Sequence, residues 1–121
     1  MNIDQDPDQP SGAGARGTCT RETPPGGVLL YRLHGDHLDG VDFDEPQDGV
    51  RAVLVDLTDV GFFGSSALDA LLRLRVAAQE NGVTVHLVAP QPIAARVLQL
   101  TGADTLFPRH ASLDAALRAL A

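Results

Sequence analysis

Two adjacent serines near the middle of the chain are the residues best placed to do chemistry. Residues 61–67 read Gly-Phe-Phe-Gly-Ser-Ser-Ala and stand between an apolar run of strand length and a segment with helical spacing. α/β proteins place their functional sites at such strand-to-helix turns. A hydroxyl at the start of a helix meets unpaired N–H groups and the positive end of the helix dipole, which favour phosphate. Two interpretations follow: Ser65 or Ser66 accepts a phosphate, or one of them only caps the helix.

Two catalytic motifs that would use such a turn do not fit. A phosphate-binding loop needs Gly-Lys-Ser/Thr, but the 9 basic residues of this chain are all arginine. A nucleophile elbow needs Gly-x-Ser-x-Gly, and neither Ser65 nor Ser66 stands in that frame. The absence of lysine also excludes Schiff-base chemistry. We therefore expect a protein that is not an enzyme and that uses no cofactor.

An acidic segment supplies the second group of candidate residues. His34, Asp36, His37 and Asp39 combine imidazole and carboxylate groups, which suit divalent metals. Positions 36–48 hold only acidic charges, a pattern typical of a solvated loop, so we expect no metal site there. Cys19 is the single cysteine of the chain, which excludes an internal disulfide and gives no thiolate spacing for zinc.

The overall charge limits the classes of partner. The chain has 121 residues, 16 acidic against 9 basic, a net charge of −7 and a pI near 4.7. This balance argues against nucleic acid and against an anionic membrane surface as partners. No apolar run approaches the roughly 18 residues of a membrane span, and the first residues do not resemble a signal peptide. We therefore expect a cytoplasmic protein.

The elements that position the serines alternate between strands and helices. Residues 1–17 are acidic and then rich in glycine and alanine, so we expect a disordered tail and one domain over 18–121. The alternation of the second half predicts an α/β domain with parallel strand pairs. The predicted strands are Thr18–Glu22 and Val28–Leu33, forming a hairpin around Pro24–Gly27, then Ala52–Leu57, Val83–Val88 and Leu106-Phe107. The predicted helices run from Ser65 or Ser66 to Asn81-Gly82, from Pro90 and Pro92 to Gly102, and onward from a cap at Ser112.

Periodicity predicts which side chains face the core. Ala52–Leu57 is apolar on both faces and is predicted to be a central strand covered on both sides. We expect the apolar positions of the helices and the phenylalanines to point inward. These are Leu68, Leu71, Leu72, Val76, Ile93, Val97, Leu98, Leu100, Phe43, Phe62, Phe63 and Phe107.

The stretch Ala52–Leu72 resembles the core signature of STAS domains, the family of anti-sigma factor antagonists and their relatives. The signature is an apolar strand ending in Asp-Leu, a short turn with an aromatic residue, and a serine pair opening a helix. Val28–Gly35, Val83–Ala89 and Ala94–Phe107 resemble other parts of the family, so the resemblance covers about residues 18–121. It implies a STAS-like α/β fold, with a mixed four- to five-stranded sheet packed by helices. The first helix would be shortened or missing, since only Gly40–Val50 is available for it.

The resemblance also implies a function. Proteins of this type bind an anti-sigma factor, often a kinase-like ATPase, and so release a sigma factor; the kinase phosphorylates the serine that matches Ser65. Ser66 matches its neighbour and is the less favoured acceptor. The implied partner surface comprises Asp36, Asp39, Gly64, Ser65, Ser66 and Arg73, on a monomer or weak homodimer.

Two departures from the family pattern keep alternatives open. The family has Asp before the serine and Gly after the pair, where this chain has Gly64 and Ala67. These departures favour a STAS module that binds a partner without being phosphorylated. A STAS domain that binds a small ligand is a further alternative.

Overall fold

Five strands form one mixed sheet in the order β1-β2-β3-β4-β5. In the computed structural model, which describes residues 17–24, 26–37, 43, 49–88 and 90–120, β1 pairs antiparallel with β2 and all other neighbours are parallel. This arrangement confirms the predicted α/β fold. The strands are β1 (Thr18–Glu22), β2 (Val28–His37), β3 (Ala52–Phe63), β4 (Thr84–Val88) and β5 (Arg109–His110).

Three helices of the described residues pack on the sheet, and their ends follow the sequence signals. They are α1 (Ser65–Glu80), α2 (Pro92–Thr101) and α3 (Leu113–Leu120). Pro92 is the first residue of α2, where its missing N–H is not needed. Gly102 ends α2 at φ +76°, a left-handed conformation that favours glycine. The Ser112 hydroxyl accepts a hydrogen bond from the Ala115 N–H at 3.1 Å and caps α3 as predicted.

Strand β3 divides the core into two clusters, because alternate side chains of a strand point to opposite faces. Val53, Val55 and Leu57 pack with α1 and α2 on one face, whereas Leu54 packs with α3 on the other. Residues 52–55 and Leu57 are all buried. The predicted central, doubly covered strand is confirmed.

The end of β3 differs from the sequence prediction. The sequence predicts a strand-to-helix turn within residues 61–67, but β3 stays extended to Phe63. The reason is that β2 continues beside it to His37, with register shifts between Arg32 and His34 and between Gly35 and Asp36. The pairing of β2 with β3 continues past both register shifts.

Three predicted core positions and one predicted strand are wrong. Leu100, Val76 and Phe62 are 73%, 53% and 41% exposed. Leu74 of α1 and Leu98 of α2 face the core. Val76 and Leu100 each follow two residues later, which turns the side chain by about 200° around the helix and points it outward. Residues 106–107 follow a 3₁₀ turn (Ala103–Thr105), and the short strand comes later, at β5.

Several sequence predictions fall on residues outside the described ranges. They are the disordered tail, Asp39, and most of the segment available for the family's first helix. Phe43 from that segment is described: it is partly buried against the core, and its ring meets Tyr31 edge-on at a centroid distance of 5.0 Å. Within the described ranges, no helix combines the length and the apolar character needed to cross a membrane.

Candidate functional site

The start of α1 lies at the edge of the sheet where the parallel strands β2 and β3 end. Asp36 pairs with Phe62 and His37 pairs with Phe63 in the strand register. Gly64 follows directly, and α1 begins at Ser65. Two strand ends and one helix N-terminus therefore meet at one place, which is where the carboxyl edge of an α/β sheet forms its sites.

The residue at the N-cap of α1 is Gly64, and neither serine caps the helix. Gly64 is extended, at φ −80° and ψ 172°, and the helix start has no side-chain cap hydrogen bond. Its carbonyl accepts the first helical hydrogen bond from the Leu68 N–H at 3.0 Å. A capping hydroxyl must stand at the N-cap itself to reach the N–H groups two or three residues ahead. The predicted cap at Ser65 or Ser66 is therefore wrong, since both serines are already inside the first turn.

The outer face of α1 carries an exposed polar stripe. Ser65 and Ser66 are exposed, and an ion pair joins Arg73 Nη2 to Asp69 Oδ2 at 3.1 Å. Ser65, Asp69 and Arg73 follow each other at intervals of four residues, so they lie on one face of the helix. Phe62 stands exposed just before this stripe. We call these five residues the α1 surface.

Two members of the α1 surface were not identified from the sequence. Phe62 was assigned to the core because aromatic residues are usually inside, and its exposure depends on the extension of β3 past Leu57. Asp69 carried a usable signal, since an Asp four residues before an Arg on a helix predicts an ion pair. That pair holds Arg73 toward the start of the helix.

The structure brings some of the predicted partner residues together and separates others. Gly64, Ser65 and Ser66 are consecutive, and the backbone of Asp36 lies on the strand next to Phe62. Arg73 is eight residues beyond Ser65, which places it about 12 Å further along α1. Asp39 is outside the described residues. The described part of the predicted surface is therefore one edge of the sheet and two turns of one helix.

Polar side chains on β3 form hydrogen bonds and an ion pair with nearby residues of the sheet. Asp56 Oδ1 accepts hydrogen bonds from the Thr58 N–H at 2.9 Å and from the Thr58 hydroxyl. The amide of Gln91 donates to the Thr58 carbonyl and joins the start of α2 to β3. His34 Nδ1 lies 3.2 Å from Asp59 Oδ2 across the β2–β3 pair. Among the described residues, no group of three or more His, Cys, Asp or Glu could hold a metal ion.

The fold and this site define a known class of protein domain. The sequence model of the STAS domain family matches residues 19–116, and the chain belongs to that family. The resemblance first seen in Ala52–Leu72 is thereby confirmed. A Mycobacterium tuberculosis protein provisionally named as an anti-anti-sigma factor is 32% identical over 110 residues, which cover 83% of this chain and 74% of that protein.

Solved structures show the same architecture. An anti-sigma factor antagonist from Mycobacterium paratuberculosis aligns with a TM-score of 0.66 at 27% identity, covering 89% of this chain and 97% of that one. An anti-sigma-factor antagonist (STAS) domain protein from Planctomyces limnophilus aligns at 0.61 and 26% identity, covering 90% and 100%. The antagonist SpoIIAA in its unphosphorylated form shares the fold, with a TM-score of 0.61 at 19% identity over 84% and 96% of the two chains. The relatives named here are anti-sigma factor antagonists, which is a regulatory role.

Proposed function

We propose that this chain is an anti-sigma factor antagonist that binds its anti-sigma factor through the α1 surface. The family membership and the names of its relatives support this function. The partner we propose is an anti-sigma factor of the kinase-like ATPase class, and the place of action is the cytoplasm, where sigma factors work. Phosphorylation of Ser65 by that kinase would end the complex.

The observation that carries the proposal is the position of Ser65. Its side chain is exposed in the first turn of α1, and it does not cap the helix. The hydroxyl is therefore open to a kinase and is not needed for the helix start. A phosphate at this position would meet the N–H groups and positive dipole of the first turn, so the fold would tolerate it.

Charge explains how a phosphate would break the complex. The phosphate adds about −1.5 to −2 charges at pH 7 to a chain whose net charge is already −7. An interface that accommodates a neutral Ser65 one helical turn from the Asp69–Arg73 pair would then contain an additional anion. Like-charge repulsion and desolvation of that anion would weaken binding.

A non-phosphorylated binding module is the second candidate, and Gly64 favours it. The family carries an aspartate at the position of Gly64, which directly precedes the acceptor serine, and Ala67 also departs from the pattern. In this version the same surface binds the partner, and the switch lies elsewhere. The two candidates differ in one property: only the first predicts a phosphate on Ser65.

Binding and phosphorylation can be measured with purified components. Each kinase-like anti-sigma factor of the source organism would be titrated with this chain by calorimetry, and intact mass would be recorded after incubation with ATP. We expect one of them to bind and to add one phosphate. Gain of one phosphate that is lost in Ser65→Ala supports the switch. If the wild type binds but gains no phosphate, and Gly64→Asp also gains none, the non-phosphorylated module is supported. Absence of binding to all of them would contradict the proposed function.

Matched variants at the two serines test the role of the α1 surface. We expect Ser65→Asp to weaken binding by at least about tenfold, equal to roughly 1.4 kcal/mol, because it adds a fixed charge. Ser65→Ala should bind almost as the wild type, because it removes only a small hydroxyl. Ser66→Asp is the control, since one residue turns the side chain by about 100° around the helix, and it should weaken binding less. Wild-type affinity for Ser65→Asp would place the partner surface elsewhere.

A further inference from the structure

Two histidines far along the chain from the α1 surface form a direct contact. His86 on β4 and His110 on β5 approach with Nδ1 and Nε2 at 3.0 Å. Their ring planes are inclined by 27°, with centroids 5.2 Å apart. Both side chains are half-buried. A hydrogen bond of this kind needs one ring nitrogen to carry a proton and the other to be a bare acceptor.

This pair lies on the face of the sheet that α3 covers. His86 pairs in register with Leu54, and His110 with Val88, and both of those apolar residues belong to the cluster that packs against α3. Register partners on neighbouring strands point to the same face. The histidine contact is therefore at the margin of the smaller of the two core clusters.

The C-terminal segment is held to the sheet by the apolar packing of α3 on the smaller core cluster and, at its start, by the short strand β5. Strand β5 consists of only two residues, and the Leu87 N–H donates to the Pro108 carbonyl at 2.9 Å just before it. Helix α3 has 8 residues, too few to be stable alone in water. At its far end, the Arg51 guanidinium donates to the Leu120 carbonyl. The start of α3 therefore depends on β5, and β5 depends on contacts that include the histidine pair.

The charged side chains on the elements around the pair are either exposed or engaged in other contacts. On β3, Asp56 is engaged with Thr58. Arg109 on β5 and Asp114 and Arg118 on α3 are all exposed, and the Arg118 side chain lies against the Asp114 carbonyl at 3.4 Å. Burial lowers the pKa of His86 below its ordinary value of 6.5, and a charged His110 lowers it further.

We propose that the His86–His110 pair is a pH-sensitive latch for the segment formed by β5 and α3. When the pair takes up one extra proton and carries a single positive charge, the contact is kept, because the charged ring can donate a hydrogen bond to the neutral ring. A second proton removes the only acceptor and places two positive charges side by side. The latch then opens, and the apolar residues under α3 become accessible without unfolding of the rest of the sheet.

The direction of the pH effect follows from linkage. A histidine that is kept neutral in the docked state binds protons more tightly when released, so docking is strongest above pH 6.5 and weakens as the pH falls below it. At pH 5.5, one unit below the ordinary value, the limit is about a tenfold shift toward the open state for one fully protected histidine. Because the ring of His86 is only half-buried, solvent screening keeps the shift below this limit.

Amide hydrogen exchange on the full chain tests the latch. Protection factors, corrected for the intrinsic exchange rate, would be compared at pH 7.5 and pH 5.5. We expect protection of the α3 amides of Ala116 and Leu117 to fall at pH 5.5, by at most about tenfold. The β3 amides of Val53 and Val55 should remain better protected than those of α3 at both pH values. Equal protection of both elements at pH 5.5 would overturn the proposal, since the segment would not open separately.

Variants assign the effect to the pair. Glutamine cannot take up a proton, so the pH dependence of α3 protection should disappear in His86→Gln, even if α3 is looser at both pH values. In His110→Gln it should weaken without disappearing, because burial still lowers the pKa of His86. His34→Gln is the control, because His34 pairs with Asp59 on another strand, and it should keep the pH dependence. A ring titration of His86 followed by NMR should have its midpoint below 6.5. Persistence of the pH effect in His86→Gln, or a midpoint at or above 6.5, would overturn the latch.

Discussion

At the scale of single residues, Gly64 determines how the site is built. Its backbone is extended, with a negative φ that any residue can adopt. The position is therefore open to a better cap, although this chain places glycine there. The four N–H groups at the start of α1 consequently have no side-chain acceptor at the N-cap.

Replacing Gly64 by aspartate tests this geometry. Aspartate is a preferred N-cap and its charge suits the helix dipole, so we expect Gly64→Asp to raise the free energy of unfolding by about 0.3–1 kcal/mol. Gly64→Ala is the matched control, because alanine adds a side chain without an acceptor and should lower stability. Chemical denaturation measures both. Equal stabilities of the two variants would mean that the N–H groups at the start of α1 have other hydrogen-bond partners.

At the scale of elements, α3 and α1 differ in whether a side chain caps their first turn. Ser112 caps α3 with its hydroxyl, at 3.1 Å from the Ala115 nitrogen, whereas Ser65 and Ser66 stand inside the first turn of α1. Helix α3 is short and packs on the smaller core cluster. The cap therefore matters more for α3 than any hydroxyl does for α1.

Serine-to-alanine substitutions separate these roles. Ser112→Ala removes a cap and should cost about 0.5–2 kcal/mol of unfolding free energy. Ser66→Ala removes an exposed hydroxyl that is not a cap and should stay within about 0.5 kcal/mol of the wild type. Urea titrations of the two variants in parallel provide the comparison. If both lose the same stability, the hydroxyl of Ser112 is not the interaction that starts α3.

At the scale of the whole molecule, stability depends on two apolar clusters that share β3. Leu54 lies in the α3-side cluster and is fully buried, and Leu71 of α1 lies in the other cluster. Both were predicted as core residues from the sequence, and the structure confirms this. Because the two clusters meet at one strand, a cavity on either side weakens the same sheet.

Leucine-to-alanine substitutions measure this dependence. Leu54→Ala and Leu71→Ala should each cost about 2–5 kcal/mol, a large part of the stability of a small domain. Leu100→Ala is the control, since Leu100 is 73% exposed, and its cost should be within about 0.5 kcal/mol. Thermal unfolding of the three variants tests the assignment. A loss at Leu100 as large as at Leu54 would mean that α2 is rotated relative to the core.

Much of this protein could be read from the sequence, because the signals are local. The apolar run of Ala52–Leu57 predicted the central strand, since only a strand covered on both faces is apolar at every position. Pro92 and Gly102 predicted the bounds of α2, because each has a backbone property that suits one helix end. The serine pair predicted the place of the candidate site, at a turn between a strand and a helix.

Tertiary structure decided the features that depend on neighbours distant in sequence. Phe62 is exposed and β3 is long because β2 runs beside it to His37, a pairing that no local pattern encodes. Val76 and Leu100 point outward because the side of each helix that meets the sheet is set by docking, and helices with many alanines and leucines allow more than one phase. The contact of His86 with His110 joins residues 24 positions apart. Such contacts arise only when the sheet order is fixed, which is why the sequence predicts the serine pair as a candidate site but does not predict the histidine contact.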